Sequence, residues 1–389
     1  MSAPLHVLHV STALRWSGAA DQCLALALAM DAAGDRAPVA CQPGSMLHLR
    51  ARAGGLRTLP VLMRGPGDVA AARTLRGFVA RYGVPVLHAH DRRARALSAL
   101  ASLGGRALRV ATRRHVGPTP AGLLGLSRRG LTALPSRLGV DRWVAVSSRV
   151  AAGLSASGVR VQDVQVIAPG VPVDSDPARD LATRSRTLPP LGLAGHRGPL
   201  IGTLQRLDQR QALDPLIASV HQLRRRWPEL RVILAGEGEQ RQFIQAQVAR
   251  ERLSDVILVP GWVDDGPALL AALDAYVAPG CAEGDRVSLA SAQAAACPLV
   301  ASAVGDVPSL VEDGCTGLLV RPGDSAALTA ALERLLSHPE WANGLGQAAR
   351  RAARERSSLG AMVQGHRRLY AGAGERDPGA RGLPSLVAP

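Results

Sequence analysis

Lysine is absent from this chain: all 46 of its basic residues are arginine. Aromatic residues are scarce too, at 3% of 389 positions. Any core must therefore be built from Leu, Val, Ala and Ile, a mix that suits parallel strands buried beneath Ala-rich helices. The five cysteines (23, 41, 281, 297 and 315) include no CxxC pair, so neither a zinc site nor a disulfide framework is supported. A reducing cytoplasm is the expectation. The chain has no apolar run of about 18 residues, so no membrane span is expected. The opening MSAPLHVLHV lacks the basic stretch of a signal peptide. GxGxxG is missing as well, which removes the dinucleotide-binding fingerprint.

What is present is organised. At about 100–200 residues per domain, the length predicts two domains or three, and 47% apolar residues are enough to fill their cores. Apolar strand-like runs at 5–10, 39–41, 57–62, 84–88, 108–112 and 143–146 alternate with helical patterns at 21–30, 69–82 and 94–103. That alternation indicates a mostly parallel sheet. Residues 172–199, which hold five prolines, break the pattern and are read as an interdomain crossing. A second β–α series follows. It has strands at 200–204, 231–235, 256–259, 275–278 and 299–301, and helices at 214–226, 240–252, 267–273, 288–296 and 325–337. The tail after 371, rich in Gly and Pro, is expected to be disordered.

Ligands of open parallel sheets sit at the carboxyl ends of the strands, so the loops there carry the candidates. Gly18 lies between the first strand and its helix, where backbone N–H groups can approach a phosphate. Arg206 follows the first strand of the second series. Gly236 and Glu237 lie in a Gly-rich turn after the next. Glu283 stands in a Gly-rich loop ahead of the 288–296 helix, whose first N–H groups favour an anion. Each of these also has an ordinary reading as a turn, a solvated side chain or a helix-start acid.

In order along the chain, residues 144–147, 166–170, 202–207, 233–238, 259–261, 278–279, 283–284, 298–301, 305 and 314–320 resemble the retaining, metal-independent glycosyltransferases of the GT-B fold. This is the large glycosyltransferase family 4, or group 1, with an E-x7-E motif. Gly18 to Gln22 resembles the family's N-terminal loop, and Ser358, Leu359, Met362 and Tyr370 its closing helix. The resemblance implies an α/β chain with GT-B architecture, two Rossmann-like domains facing a cleft. Residues 1–172 would form the acceptor domain and 200–356 the nucleotide-sugar domain, with 357–370 returning to the first. It implies that Arg206 neutralises the donor diphosphate and that Glu283 holds the donor sugar. Backbone groups at Val287, Ser288 and Leu289 would contact the diphosphate. His115, or His90 in its place, would be the N-domain histidine near the sugar.

The chain departs from the pattern at four positions. Gln211 stands for the second cation, Ser291 for the second acid, Ala19 for a glycine and Pro169 for an asparagine. Arg210, one residue before Gln211, has the reach to meet the same phosphate. The implied activity is transfer of a hexose from a nucleoside diphosphate sugar to a saccharide or lipid-linked acceptor, with no metal and no cofactor besides the donor. Gln211 and Ser291 leave a rival reading, a non-catalytic paralogue that binds or scaffolds.

The net charge of +15 favours an anionic partner. Twelve arginines fall between Asp91 and Val150 against the two aspartates at 91 and 141. Leucines at 123, 124, 126, 131 and 134 mix with Arg128 and Arg129 there, which suits a segment lying on an anionic membrane surface and equally a helix packed on its own domain. A cytoplasmic protein, peripheral on the inner face of the membrane, is the expectation. Nucleic acid is not expected, because the cluster lacks stacking aromatics and no RRM, helix-turn-helix or zinc pattern occurs.

Overall fold

The computed structural model describes residues 4–116, 139–173, 178–208, 212–280 and 286–371. Its chain forms two compact units, Met1–Ile167 joined by the segment from Met362 onward, and Ala168–Ala361.

The first unit holds strands β1 (Val7–Val10), β2 (Val39–Cys41), β3 (Thr58–Pro60), β4 (Val86–Ala89), β5 (Leu108–Arg113), β6 (Arg142–Ala145) and β7 (Val164–Val166). All pair in parallel, in the order β3-β2-β1-β4-β5-β6-β7. Among the described residues, helices α1 (Gly18–Ala32), α2 (Met46–Ala53), α3 (Val69–Tyr82), α4 (Arg92–Ala101) and α5 (Ser148–Ala156) cover them. Local signals explain their ends. Asp68 accepts the Ala71 N–H at 3.1 Å to start α3, and Gly83, with φ of 57°, closes it. Both signals are legible in the sequence, and the expected and observed bounds of α3 coincide. The structure adds α2 and α5, short helices opened by side-chain caps from Ser45 and Ser147.

The second unit holds β8 (Leu200–Leu204), β9 (Arg231–Ala235), β10 (Ile257–Gly261), β11 (Ala275–Ala278), β12 (Leu299–Ser302) and β13 (Leu318–Val320), parallel in the order β10-β9-β8-β11-β12-β13. Its helices are α6 (Leu181–Thr187), α7 (Asp214–Arg226), α8 (Arg241–Arg250), α9 (Gly266–Ala272), α10 (Arg286–Ala294), α11 (Val307–Leu310), α12 (Ser325–Ser337) and α13 (Pro339–Arg356). One core, with Leu216, Val220, Leu328 and Leu332, lies on one side of the sheet. Another, with Leu269, Leu270, Leu289 and Leu299, lies on the other.

The stretch 172–199 is not only a crossing. Within it α6 and a 3-10 turn at Pro189–Leu191 fold onto the second unit, where Leu188 and Leu193 are buried against Leu269 and Leu273. Pro189 and Pro190 stand at the start of the turn, where a missing N–H costs nothing, so they open structure there rather than end it. A final helix, α14 (Leu359–Ala371), joins the first unit from Met362 on. Arg367 clamps it with two bonds to the buried carboxylate of Asp35, at 2.8 and 2.9 Å.

In each sheet the strand order reverses beside the first strand, between β1 and β4 and between β8 and β11. Such switch points open a crevice at the carboxyl ends of the strands. The expected interfacial segment around 120–134 lies outside the described residues, as does the tail after 371. No helix among the described residues is long and apolar enough to cross a membrane.

Candidate active site

At the switch point of the second sheet, the loops after β8 and β9 are closed on each other. Gln205 N–H donates to the Ala235 carbonyl at 3.1 Å, Leu207 N–H to the Glu237 carbonyl at 3.0 Å, and Gln240 N–H to the Leu207 carbonyl at 3.0 Å. That closeness dictates the glycines. Gly236 has φ of 135°, and a Cβ there would run into the Gln205 carbonyl oxygen; one on Gly238 would run into that of Leu207. The zipped loops hold up Arg206, which is 57% exposed and has its Nε 3.8 Å from Asp208. Glu237 is turned to its own loop, accepting from Arg241 at 3.1 Å and from the Trp262 N–H at 3.3 Å.

On the other side of the switch, α10 begins at Arg286. Val287, Ser288 and Ser291 are half-buried on it, and Leu289 is in the core. Glu283, Arg210 and Gln211 lie outside the described residues. Arg286 was not among the candidates legible in the sequence. Its side chain is 14% exposed, its Nη1 is 3.8 Å from Asp306 in the loop after β12, and its Nε and Nη1 meet no hydrogen-bond acceptor. Burial lowers its pKa, yet a guanidinium does not give up its proton in a protein. It is a cation short of partners, beside the strand that neighbours the Arg206 strand.

The first unit's switch point is built differently. His9 on β1 and His88 on β4 are register partners, and His90 follows two residues later on the same face. His9 Nδ1 and His90 Nε2 are 3.0 Å apart. His88 contacts the Tyr370 hydroxyl of α14 and the Thr112 hydroxyl of β5, both at 2.7 Å. All three rings and His366 are buried, and burial depresses their basicity, His9 to about 3 and His366 to about 4. They are neutral at pH 7.

Ring nitrogens of His9, His88 and His90 lie within 4.8 Å of one another, a spacing compatible with one metal ion. The surrounding polarity disfavours it. Arg114 donates to the His90 carbonyl at 2.8 Å and faces His90 Nδ1 at 3.4 Å. That nitrogen therefore keeps its lone pair, and Nε2 carries the hydrogen toward His9. A cation would need that lone pair on Nε2 instead and would sit beside a guanidinium. The arrangement suits a hydrogen-bonded stack that ends on His9 Nε2, a buried donor with no acceptor.

Beside the stack, Asp91 accepts from Thr12 N–H at 2.6 Å, from the Thr12 and Ser11 hydroxyls at 2.8 and 3.2 Å, and from Ala94 N–H at 2.8 Å to cap α4. Of the two histidine candidates, His90 belongs to this network, whereas His115 is exposed with its carbonyl accepting from Arg113 Nε at 2.8 Å. Gly18 is the first residue of α1, exposed, with open space where a Cβ would stand. The signal that could have revealed the stack is His88-Ala-His90-Asp91 at a strand end.

Two parallel units with polar switch points define the class: this is a two-domain α/β protein of the GT-B fold, the architecture of nucleotide-sugar glycosyltransferases. Residues 198–338 match the model "Glycosyl transferases group 1" and residues 16–175 match "Glycosyltransferase Family 4", so the chain belongs to that glycosyltransferase family. It is 29% identical over 271 residues to a GDP-mannose-dependent alpha-(1-6)-phosphatidylinositol monomannoside mannosyltransferase of Mycolicibacterium smegmatis, covering 66% of this chain and 69% of the relative. It is 30% identical over 292 residues to a D-inositol 3-phosphate glycosyltransferase of Frankia alni, 69% of this chain and 64% of the relative. The match to a Mycobacterium tuberculosis glycogen synthase, 31% identical over 45% of this chain, spans only 44% of that protein. Anabaena HepE, solved with UDP-glucose, superposes with a TM-score of 0.80 at 20% identity, over 94% of this chain and 100% of its own. Sucrose-phosphate synthase from Thermosynechococcus elongatus does so at 0.75 and 20%, over 95% of this chain and 98% of its own.

Proposed function

We propose that this protein transfers a hexose from a nucleoside diphosphate sugar to a saccharide or lipid-linked acceptor, with retention of anomeric configuration and with no metal or further cofactor. The observation that carries the reading is two cations that follow the neighbouring strands β8 and β11 of the second sheet: Arg206, 57% exposed and open to a ligand, and Arg286, buried with two donors that meet no acceptor. A leaving diphosphate develops negative charge, and fixed cations in a site with little water stabilise it without reorganising. Arg286 supplies charge that Gln211 does not, and Arg210 has the reach to add to it. Glu283 holds the donor sugar, as the family resemblance implies. The acceptor lies on the first unit, near His90, Asp91 and Arg114. The relatives' named activities on a phosphatidylinositol monomannoside and on D-inositol 3-phosphate support an acceptor of polyol or lipid-linked sugar type. Such an acceptor favours work in the cytoplasm at the inner face of a membrane.

Gln211 and Ser291 favour a second reading, a paralogue that binds nucleotide or partner without turnover. Calorimetry with UDP, GDP and ADP separates the two, together with an assay of sugar release. A working enzyme binds one of the nucleotides and turns over its sugar derivative; Arg206→Ala abolishes transfer and weakens binding by about 1.5–3 kcal/mol, the range for a charged hydrogen bond. Native protein that binds none at millimolar concentration, while Gln211→Lys with Ser291→Glu does, overturns the enzyme.

A further inference from the structure

At the β3-β2-β1 end of the first sheet, three loops stand side by side because their strands are neighbours. They are the segment after β1, the segment running into α2, and the segment after β3. Hydrogen bonds tie them. Gln42 donates to the Met63 carbonyl at 2.7 Å and accepts the Met63 N–H at 3.1 Å, and the Arg50 guanidinium lies 4.2 Å over the Trp16 ring. The tied loops push large apolar side chains outward. Leu14 is 67% exposed, Leu49 53% and Leu62 56%, and Met46, one turn before Leu49 on α2, is also exposed. Leu47 and Ala51 face the core instead, so the outward apolar stripe is a separate face of α2.

Arginine is interleaved throughout, at 15, 50, 52 and 64, and the one carboxylate in α2 and these loops is Asp68, which ends the loop after β3 by accepting the Arg64 and Ala71 N–H groups, each at 3.1 Å. An ordinary soluble surface mixes both signs of charge and scatters its exposed leucines. Protruding apolar tips set among four guanidiniums, against one carboxylate held by backbone N–H groups, are what a bilayer interface selects: leucines enter the headgroup boundary, Trp lies at its level, and arginines meet anionic phosphates.

We propose that this face, α2 with the loops after β1 and β3, docks the protein on an anionic lipid bilayer. The proposal rests on the membrane reading above and names the surface responsible. Each leucine that enters the boundary adds apolar burial, and each arginine adds attraction that salt screens within about 10 Å at 0.1 M.

The test is flotation of the full chain with vesicles of phosphatidylcholine alone and of phosphatidylcholine with phosphatidylglycerol. It runs alongside quenching of tryptophan fluorescence by brominated lipid. Native protein is expected to float with the anionic vesicles, less at high salt, and its quenching is expected to fall in Trp16→Phe. Leu49→Glu and Leu62→Glu, both at exposed positions that leave the core intact, each lower the partition coefficient at least about tenfold. Leu181→Glu, at a 71% exposed leucine of the second unit, leaves it unchanged.

Native protein that never floats overturns both the membrane reading and this face. Native protein that floats, while Leu49→Glu and Leu62→Glu float equally well, overturns this face and leaves the membrane reading standing. Equal flotation with neutral vesicles at any salt refutes the charge argument. Self-association lost in Leu49→Glu, with no lipid binding, would assign the face to a second copy of the chain.

Discussion

Replacing Arg286 with Met separates a ligand-binding cation from a structural brace, because the two roles predict opposite signs. Met keeps the apolar stem and removes the charge. In the free protein the guanidinium is 14% exposed, two of its donors are unmet, and Asp306 stands 3.8 Å away, beyond hydrogen-bond reach. An unmade buried hydrogen bond costs about 1–3 kcal/mol, so removing the charge relieves the fold. Against that stands the loss of one attraction to Asp306, itself 15% exposed. Replacing a buried ion pair with apolar groups is often neutral or stabilising by about 1–4 kcal/mol. Arg286→Met combined with Asp306→Asn should therefore hold or raise the unfolding midpoint of the free protein, by about 2–4 °C per kcal/mol gained for a unit of this size.

Ligand binding moves the other way. A charged hydrogen bond to a diphosphate oxygen contributes about 1.5–3 kcal/mol, and each 1.4 kcal/mol is about tenfold in affinity. Arg286→Met should therefore weaken nucleoside diphosphate binding about ten- to a hundredfold while leaving the plain nucleoside unaffected. Thermal unfolding with and without UDP, GDP and ADP reads both signs at once, since a ligand stabilises only what it binds. A midpoint that drops by more than about 4 °C in the free protein, with nucleotide affinity intact, would make Arg286 a brace and refute the argument.

Two further outcomes follow from local geometry and from buried histidines. Gly236→Ala places a Cβ against the Gln205 carbonyl at a φ of 135°. The strain alone should cost about 1–3 kcal/mol and uncouple the loops that present Arg206, seen as a lower denaturant midpoint together with weaker nucleotide binding; an unchanged midpoint would contradict the close approach. The pH dependence of stability should bear the mark of the histidine stack. His9 and His366 fall from an ordinary 6.5 to about 3 and about 4 in the folded chain. Their unfolded forms therefore take up protons first as the pH drops. Stability is full above about 6.5 and declines between 6.5 and the 3–4 range, and His9→Gln should flatten that decline in urea midpoints. A profile level from pH 7 to 4 would show that the rings are not buried neutral.

The sequence by itself determined the local pieces. Apolar runs of four to six residues bounded by turn signals mark β8, β9 and β11, whose expected bounds coincide with the observed ones, as do those of α7 and α12. Helix periodicity, caps and strand-length hydrophobic runs are short-range properties, written in adjacent residues. Arg206 and Gly236 were legible for the same reason, since each follows a strand. Tertiary structure decided what is assembled from distant parts. His9 meets His90 across 81 residues because β1 pairs with β4, and Tyr370 reaches His88 across 282 because α14 packs on the first unit. Arg286 became a candidate only when its burial and its distance to Asp306 were known, since nothing in its neighbours in sequence marks a cation that lacks acceptors. The loops proposed to meet lipid share one edge because the strand order runs β3-β2-β1, and α6 formed in a proline-rich stretch because the Leu188–Leu193 segment that follows found a core to enter. In each case the deciding quantity is which surface is removed from water and which donor finds an acceptor, and both belong to the folded chain as a whole.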